Sequence, residues 1–198
     1  MKRFGLIALA AVTMAVPAAA QYVSDAEPFL NAVRDRDGAK ATQLLESRPA
    51  IVNTRNLKGE TALIVVISRN DDLWTRFLVG KGANVNLPAS NGDTPLIAAS
   101  RVGSTETIDL LLALGAKVDA ANKMGETPLI LAVQQRQLEA VKLLLAKGAD
   151  PDRKDTAAGF SARDYAKRDT RSRDIQAAIE NAKKPSPAKK DDLDSFKL

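Results

Sequence analysis

Apolar residues fall along this chain in three patterns. The first is a stretch from Phe4 to Val16, behind Met1-Lys2-Arg3 and ahead of Pro17-Ala18-Ala19-Ala20-Gln21. A basic start, a short apolar core and small residues at positions 18 and 20 predict a secretory leader over residues 1–20, cleaved after Ala20. The stretch falls short of the roughly 20 apolar residues that cross a bilayer, so no stable membrane insertion is expected. The second pattern is helical. Leu110-Leu111-Leu112 follows Ile108, and Leu143-Leu144-Leu145 follows Leu138 and Val141, at spacings that put them on one helix face. The third is a short apolar run opened by a hydroxyl. Thr61, Thr94, Thr127 and Ser161 stand where a side-chain oxygen would cap first-turn amides, and Pro95 and Pro128 follow at the helical position that needs no N–H. Five residues after each cap come Val66, Ala99, Ala132 and Ala166, mostly small enough for helices to approach closely. Gly82, Gly115 and Gly148 then predict left-handed stops for the Leu-rich helices.

These patterns recur with a fixed step. Gly59-Glu60-Thr61-Ala62-Leu63 returns as Gly92-Asp93-Thr94-Pro95-Leu96 and as Gly125-Glu126-Thr127-Pro128-Leu129, 33 positions apart each time. Gly82-Ala83-Asn84-Val85-Asn86 returns as Gly115-Ala116-Lys117-Val118-Asp119 and Gly148-Ala149-Asp150-Pro151-Asp152 with the same step. Degenerate copies flank the full ones: Pro28-Phe29-Leu30 with Pro49 to Asn53 before them, and Gly159-Phe160-Ser161-Ala162-Arg163 after. Such end copies are expected to be atypical.

The period and the phrases G-x-T-P-L, L-L-L and G-A-x-V-N resemble ankyrin repeats. The resemblance covers residues 24–182 and implies an all-α fold: a solenoid of stacked helix-turn-helix units, about five of them, joined by β-hairpin-like finger loops such as Asn86 to Asp93. The family's T-P-L-H histidine is replaced by Ile64, Ile97 and Ile130, so apolar contact is expected where the family has histidine hydrogen bonds. Arg34 to Asp37 and Arg168, Arg171, Arg173 and Asp174 are expected to give the two ends polar outer faces. Residues 183–198 open with Lys183-Lys184-Pro185-Ser186-Pro187 and end acidic, and are read as a disordered charged tail.

Charge and chemistry change this picture little. The formal charge is +5, and loss of Lys2 and Arg3 with the leader would lower it to +3. That is too mild to point to nucleic acid, which an exported protein would rarely meet. The chain has neither His nor Cys. Imidazole catalysis, thiol nucleophiles, disulfides and the usual zinc sites go together, and no phosphate- or nucleophile-binding glycine motif is present. Asp71-Asp72 and Asp191-Asp192 lack the spaced oxygen ligands of a calcium loop. No catalytic residue, metal or cofactor is therefore expected. Trp74, the one tryptophan, replaces Thr107 and Ala140 of the other copies and is assigned to core packing.

The resemblance implies a scaffold that binds another protein; the leader would place it in the periplasm or outside the cell, and a monomer is expected. Its expected contact positions are the finger tips and the exposed side of each first helix. The finger positions are Arg55, Leu57, Lys58 and Glu60, then Leu87, Ser90, Asn91 and Asp93, then Lys123, Met124 and Glu126. The helical positions are Ser68, Arg69, Arg101, Val102, Gln134 and Gln135. Leu57 and Met124 stand out as apolar residues at turn positions flanked by charge, the make-up of an interface. The alternatives are an immunity or protective factor for a toxin or redox enzyme, a carboxylate-only hydrolase, and a structural envelope component.

Overall fold

A computed structural model describes residues 27–182. The predicted leader with its predicted cleavage point, residues 24–26 of the predicted repeat region, the predicted tail 183–198 and its Asp191-Asp192 pair lie outside the described residues. The chain folds into successive helix pairs. α1 (27–34) and α2 (Gly38–Ser47) form the first, followed by a 3-10 turn at Pro49–Asn53. Then come α3 (Ala62–Ser68) with α4 (Asp72–Gly80), α5 (Pro95–Val102) with α6 (Thr105–Ala113), α7 (Pro128–Gln134) with α8 (Leu138–Ala146), and α9 (Ala162–Arg168) with α10 (Arg173–Glu180). The helices α3, α5, α7 and α9 pack side by side as one row, and α4, α6, α8 and α10 as a second. Among the described residues there is no strand, only isolated antiparallel bridges at Arg55–Thr61 and Lys154–Ser161.

Local chemistry explains each unit. Thr61, Thr94 and Thr127 accept from the amides of Ile64, Ile97 and Ile130 at 3.2–3.3 Å, and Ser161 closes a full capping box with Asp164. Each such cap is worth about 1 kcal/mol. The Leu-rich helices end as predicted. Gly82, Gly115 and Gly148 take φ of 84–88°. Their amides return to Val79, Leu112 and Leu145, and the next amides, of Ala83, Ala116 and Ala149, return to Leu78, Leu111 and Leu144. That paired return is the Schellman arrangement, and it buries each alanine. The first copy lacks the glycine. There α2 stops at Arg48, and Pro49, which cannot continue an α-helix, opens the 3-10 turn instead.

One apolar seam runs through all units. Val66, Ala99, Ala132 and Ala166 are buried where inner helices meet, and Ile64, Ile97 and Ile130 are buried too, so apolar contact does occupy the family's histidine position. Trp74 is 6% exposed and lies edge-on to Phe77 at 4.9 Å, within the seam. Arg36 departs from its expected place on an end face. It sits in a left-handed turn at φ 56° and pairs with Asp71 of the next unit at 2.7 Å. Asp71 also caps α4, while Asp72 accepts from Thr107 of α6 at 2.8 Å. The adjacent acids are thus structural links.

Candidate functional site

The loops between pairs project as tight fingers. In each, a glycine amide donates back to the first turn residue: Gly59 to Asn56, Gly92 to Ala89, Gly125 to Asn122. The amides of Asn56, Ala89 and Asn122 close the base against the carbonyls of Glu60, Asp93 and Glu126 at 2.8–3.0 Å. Fingers are also tied to one another. Lys123 N–H donates to the Asn91 carbonyl and Thr156 N–H to that of Met124, whereas the first junction is shifted by one residue, Ser90 N–H donating to Gly59. The approach is close. A Cβ on Gly92 would lie 2.6 Å from the Lys123 nitrogen, and one on Gly125 2.6 Å from that of Thr156.

Side chains reinforce this row. Asp93 lies at its centre, 4% exposed, accepting from Asn122, Arg101 and Asn91 at 2.8–2.9 Å. Burial pushes its carboxyl up, but the three donors and the Arg101 charge outweigh this and hold it below the usual carboxylate range. Asp155 repeats the device two fingers on. Burial again opposes ionisation, and the Tyr165 hydroxyl at 2.6 Å with the amides of Ala158, Gly159 and Phe160 reverses it. Asp169 is held low by the Arg136 guanidinium at 2.6 Å.

Between fingers and inner helices the surface is concave. One groove, about 480 Å³, is lined by Glu27, Arg34, Asn56, Leu57, Lys58, Glu60, Val65, Ser68 and Arg69. A smaller one, about 290 Å³, lies toward the other end among Val133, Gln134, Arg136, Tyr165, Arg168, Asp169 and Arg171. Among the described residues no group of three or more acidic side chains is placed to hold a metal ion, and no helix is long and apolar enough to cross a membrane.

Residues 29–122 and 75–155 each match the family described as Ankyrin repeats (3 copies). The chain belongs to the ankyrin-repeat family. No curated protein matches it. Ankyrin repeats generally mediate protein–protein interaction, and the expected contact residues can be placed on this ankyrin scaffold. Leu57 is 80% and Met124 50% exposed. Lys58, Ser90, Asn91 and Lys123 at the tips are exposed, as are Ser68, Arg69, Gln134 and Gln135 along the inner helices; Leu87 and Val102 are half-buried.

Asp93 requires a correction. It is an internal support rather than a surface group, because the next finger and Arg101 enclose it. Arg101 is half-buried and committed to that carboxylate. Arg55 reaches along the row to the Pro88 carbonyl at 2.7–2.9 Å. Glu60 and Glu126 accept from Asn56 and Asn122 of their own fingers. Sequence reasoning missed Tyr165, Arg168 and Asp169, which continue the concave face. Their signal was the repeat itself, since Arg168 and Asp169 stand 34 positions after Gln134 and Gln135, as Ser161 does after Thr127. It also missed Leu73, 76% exposed on an outer helix.

Proposed function

We propose that this ankyrin chain is a non-catalytic binding scaffold, exported by a leader cleaved after Ala20, that grips a partner protein with its finger tips and inner helical face. The observation behind this reading is the contrast between the finger bases and their tips. Each described base is locked by backbone and side-chain hydrogen bonds along the row, so little ordering entropy remains to oppose binding. Each tip presents side chains to solvent, two of them the apolar Leu57 and Met124. The acids of the concave face are committed to neighbouring donors, so the hydrolase alternative draws no support from them, and nothing favours the immunity alternative.

A photo-cross-linking residue placed at position 57, 124 or 135 should trap one discrete partner in cells. The same residue at the outward positions of Arg76 or Glu106, both exposed, should not. Equal trapping from both faces would refute the concave assignment. N-terminal sequencing of protein from the periplasmic fraction should begin at Gln21, and a start at Met1 would refute export by cleavage.

A further inference from the structure

The concave face is not electrically uniform. Toward its far end the arginines are engaged: Arg101 with Asp93 at 2.8 Å, Arg136 with Asp169 at 2.6 Å, and Arg168 over the Phe160 ring at 4.5 Å. At the first groove two cations are not. Arg69 caps α3 and gives one N–H to the Arg34 carbonyl at 3.3 Å, and Lys58 stands at the finger tip; neither forms an ion pair among the described residues. A guanidinium has five donors, so most of Arg69's capacity remains. Arg34, Lys58 and Arg69 outnumber the two carboxylates lining the groove, which leaves it one net positive charge. Glu27 accepts from the Leu57 amide at 3.3 Å and lies 3.7 Å from Arg34, and Glu60 accepts from Asn56 at 3.1 Å. Beside the unmatched cations stands Leu57, 80% exposed, on a finger whose backbone is fixed by Ser90.

A groove of about 480 Å³ with an apolar knob beside unmatched cations selects a particular guest. We propose, building on the scaffold reading, that this groove seats a segment of the partner protein in which an Asp or Glu lies next to a large apolar residue. The carboxylate is held by Arg69 and Lys58, and the apolar side chain rests against Leu57. Arg101 and Arg136, matched within the chain, make no such demand, and the positions 33 and 66 residues after Arg69 hold Val102 and Gln135, so the paired-cation contact belongs to the first groove.

Selection of random twelve-residue peptides on the purified full chain tests this. Enriched peptides should share an acidic residue within two positions of Leu, Ile, Phe or Met, and their affinity should fall with added salt. Arg69→Ala should weaken them roughly tenfold or more, the scale for a hydrogen bond to a charged group, and Leu57→Ser should weaken them as well. Both sites are exposed, and unchanged thermal melts would confirm intact folding. Arg69→Glu should abolish binding, and exchanging the peptide's acid for Lys should restore it.

Peptides without the acidic–apolar pair, or peptides sensitive to Gln134→Ala and Gln135→Ala but not to Arg69→Ala, would overturn the proposal while leaving the scaffold reading intact. Selection of no binder at all would count against both. Binding that appears only after residues 1–26 are removed would assign the groove to the chain's own leading segment and overturn it.

Discussion

Asp119 is a carboxylate where the two preceding copies have the asparagines Asn53 and Asn86, and changing it should stabilise the protein. Asn53 accepts the Asn84 amide at 2.7 Å and donates its own NH₂ to the Gly82 carbonyl at 3.1 Å. Asn86 does the same with Lys117 and Gly115 at 3.1 and 2.9 Å. Asp119, 33 positions later, accepts the Asp150 amide at 3.1 Å but has no N–H to offer the Gly148 carbonyl. Burial, with the Asp150 charge behind it, raises the Asp119 carboxyl above its ordinary value. Ionised Asp119 therefore costs stability at neutral pH, and the cost disappears as the pH falls below about 4 and the group is protonated in both states. Asp119→Asn keeps the acceptor, supplies the missing donor and removes the half-buried charge. One net hydrogen bond is worth about 1 kcal/mol, and relief of the charge brings the gain to about 1–2 kcal/mol. That corresponds to a Tm increase of about 3–6 °C for a domain of this size. Thermal melts of parent and variant at pH 7 and at pH 3 give the readout: a clear gap at pH 7 that closes at pH 3, where the Asp119 carboxylic acid can itself donate. The mirror change, Asn86→Asp, should lower Tm by a similar amount at pH 7. An unchanged or lowered Tm for Asp119→Asn at pH 7, or a gap undiminished in acid, would refute the reasoning.

Gly92→Ala and Gly125→Ala combine left-handed strain with a Cβ 2.6 Å from the next finger's backbone, whereas Gly148→Ala adds strain in open space. Urea midpoints should show the first two losing more than the roughly 1–2 kcal/mol expected of the third. Trp74→Ala should cost about 3–5 kcal/mol as a buried aromatic deletion, measured by far-UV circular dichroism; a loss below 1 kcal/mol would refute its place in the seam. Asp93 and Asp155 have carboxyls held below their unfolded values. The stability they contribute is complete above about pH 4 and fades as the pH falls through the folded values. Asp93→Asn should therefore flatten the acid limb of a Tm–pH profile, and a limb of unchanged slope would count against the network.

The repeat architecture was legible because its signals are short in range. A Thr cap and its Pro lie one residue apart, a Leu-rich helix and its stopping Gly a few, and each can be read without knowing what packs against it. The site was harder, because the fate of a side chain there depends on a partner one unit away. Asp93 looks like a finger-tip acid until Asn122 and Arg101 are brought to it, and Arg55 looks free until the Pro88 carbonyl arrives. Arg36 was assigned to an end face because nothing nearby in sequence shows that Asp71 lies beside its turn. The 33-residue step could have suggested such pairings, since Asn53, Asn86 and Asp119 recur at it, but a recurrence shows neither donor nor acceptor.

A strictly periodic row would offer a visitor several equivalent berths and let it slip from one to the next by a whole period. The displaced hydrogen bond at the first junction, Ser90 to Gly59 where later junctions use the preceding residue's register, breaks that equivalence. The leading finger is tied to its neighbour through a different residue from the fingers farther on, so a guest fitted to that junction would meet no equivalent one by moving a whole period along the row.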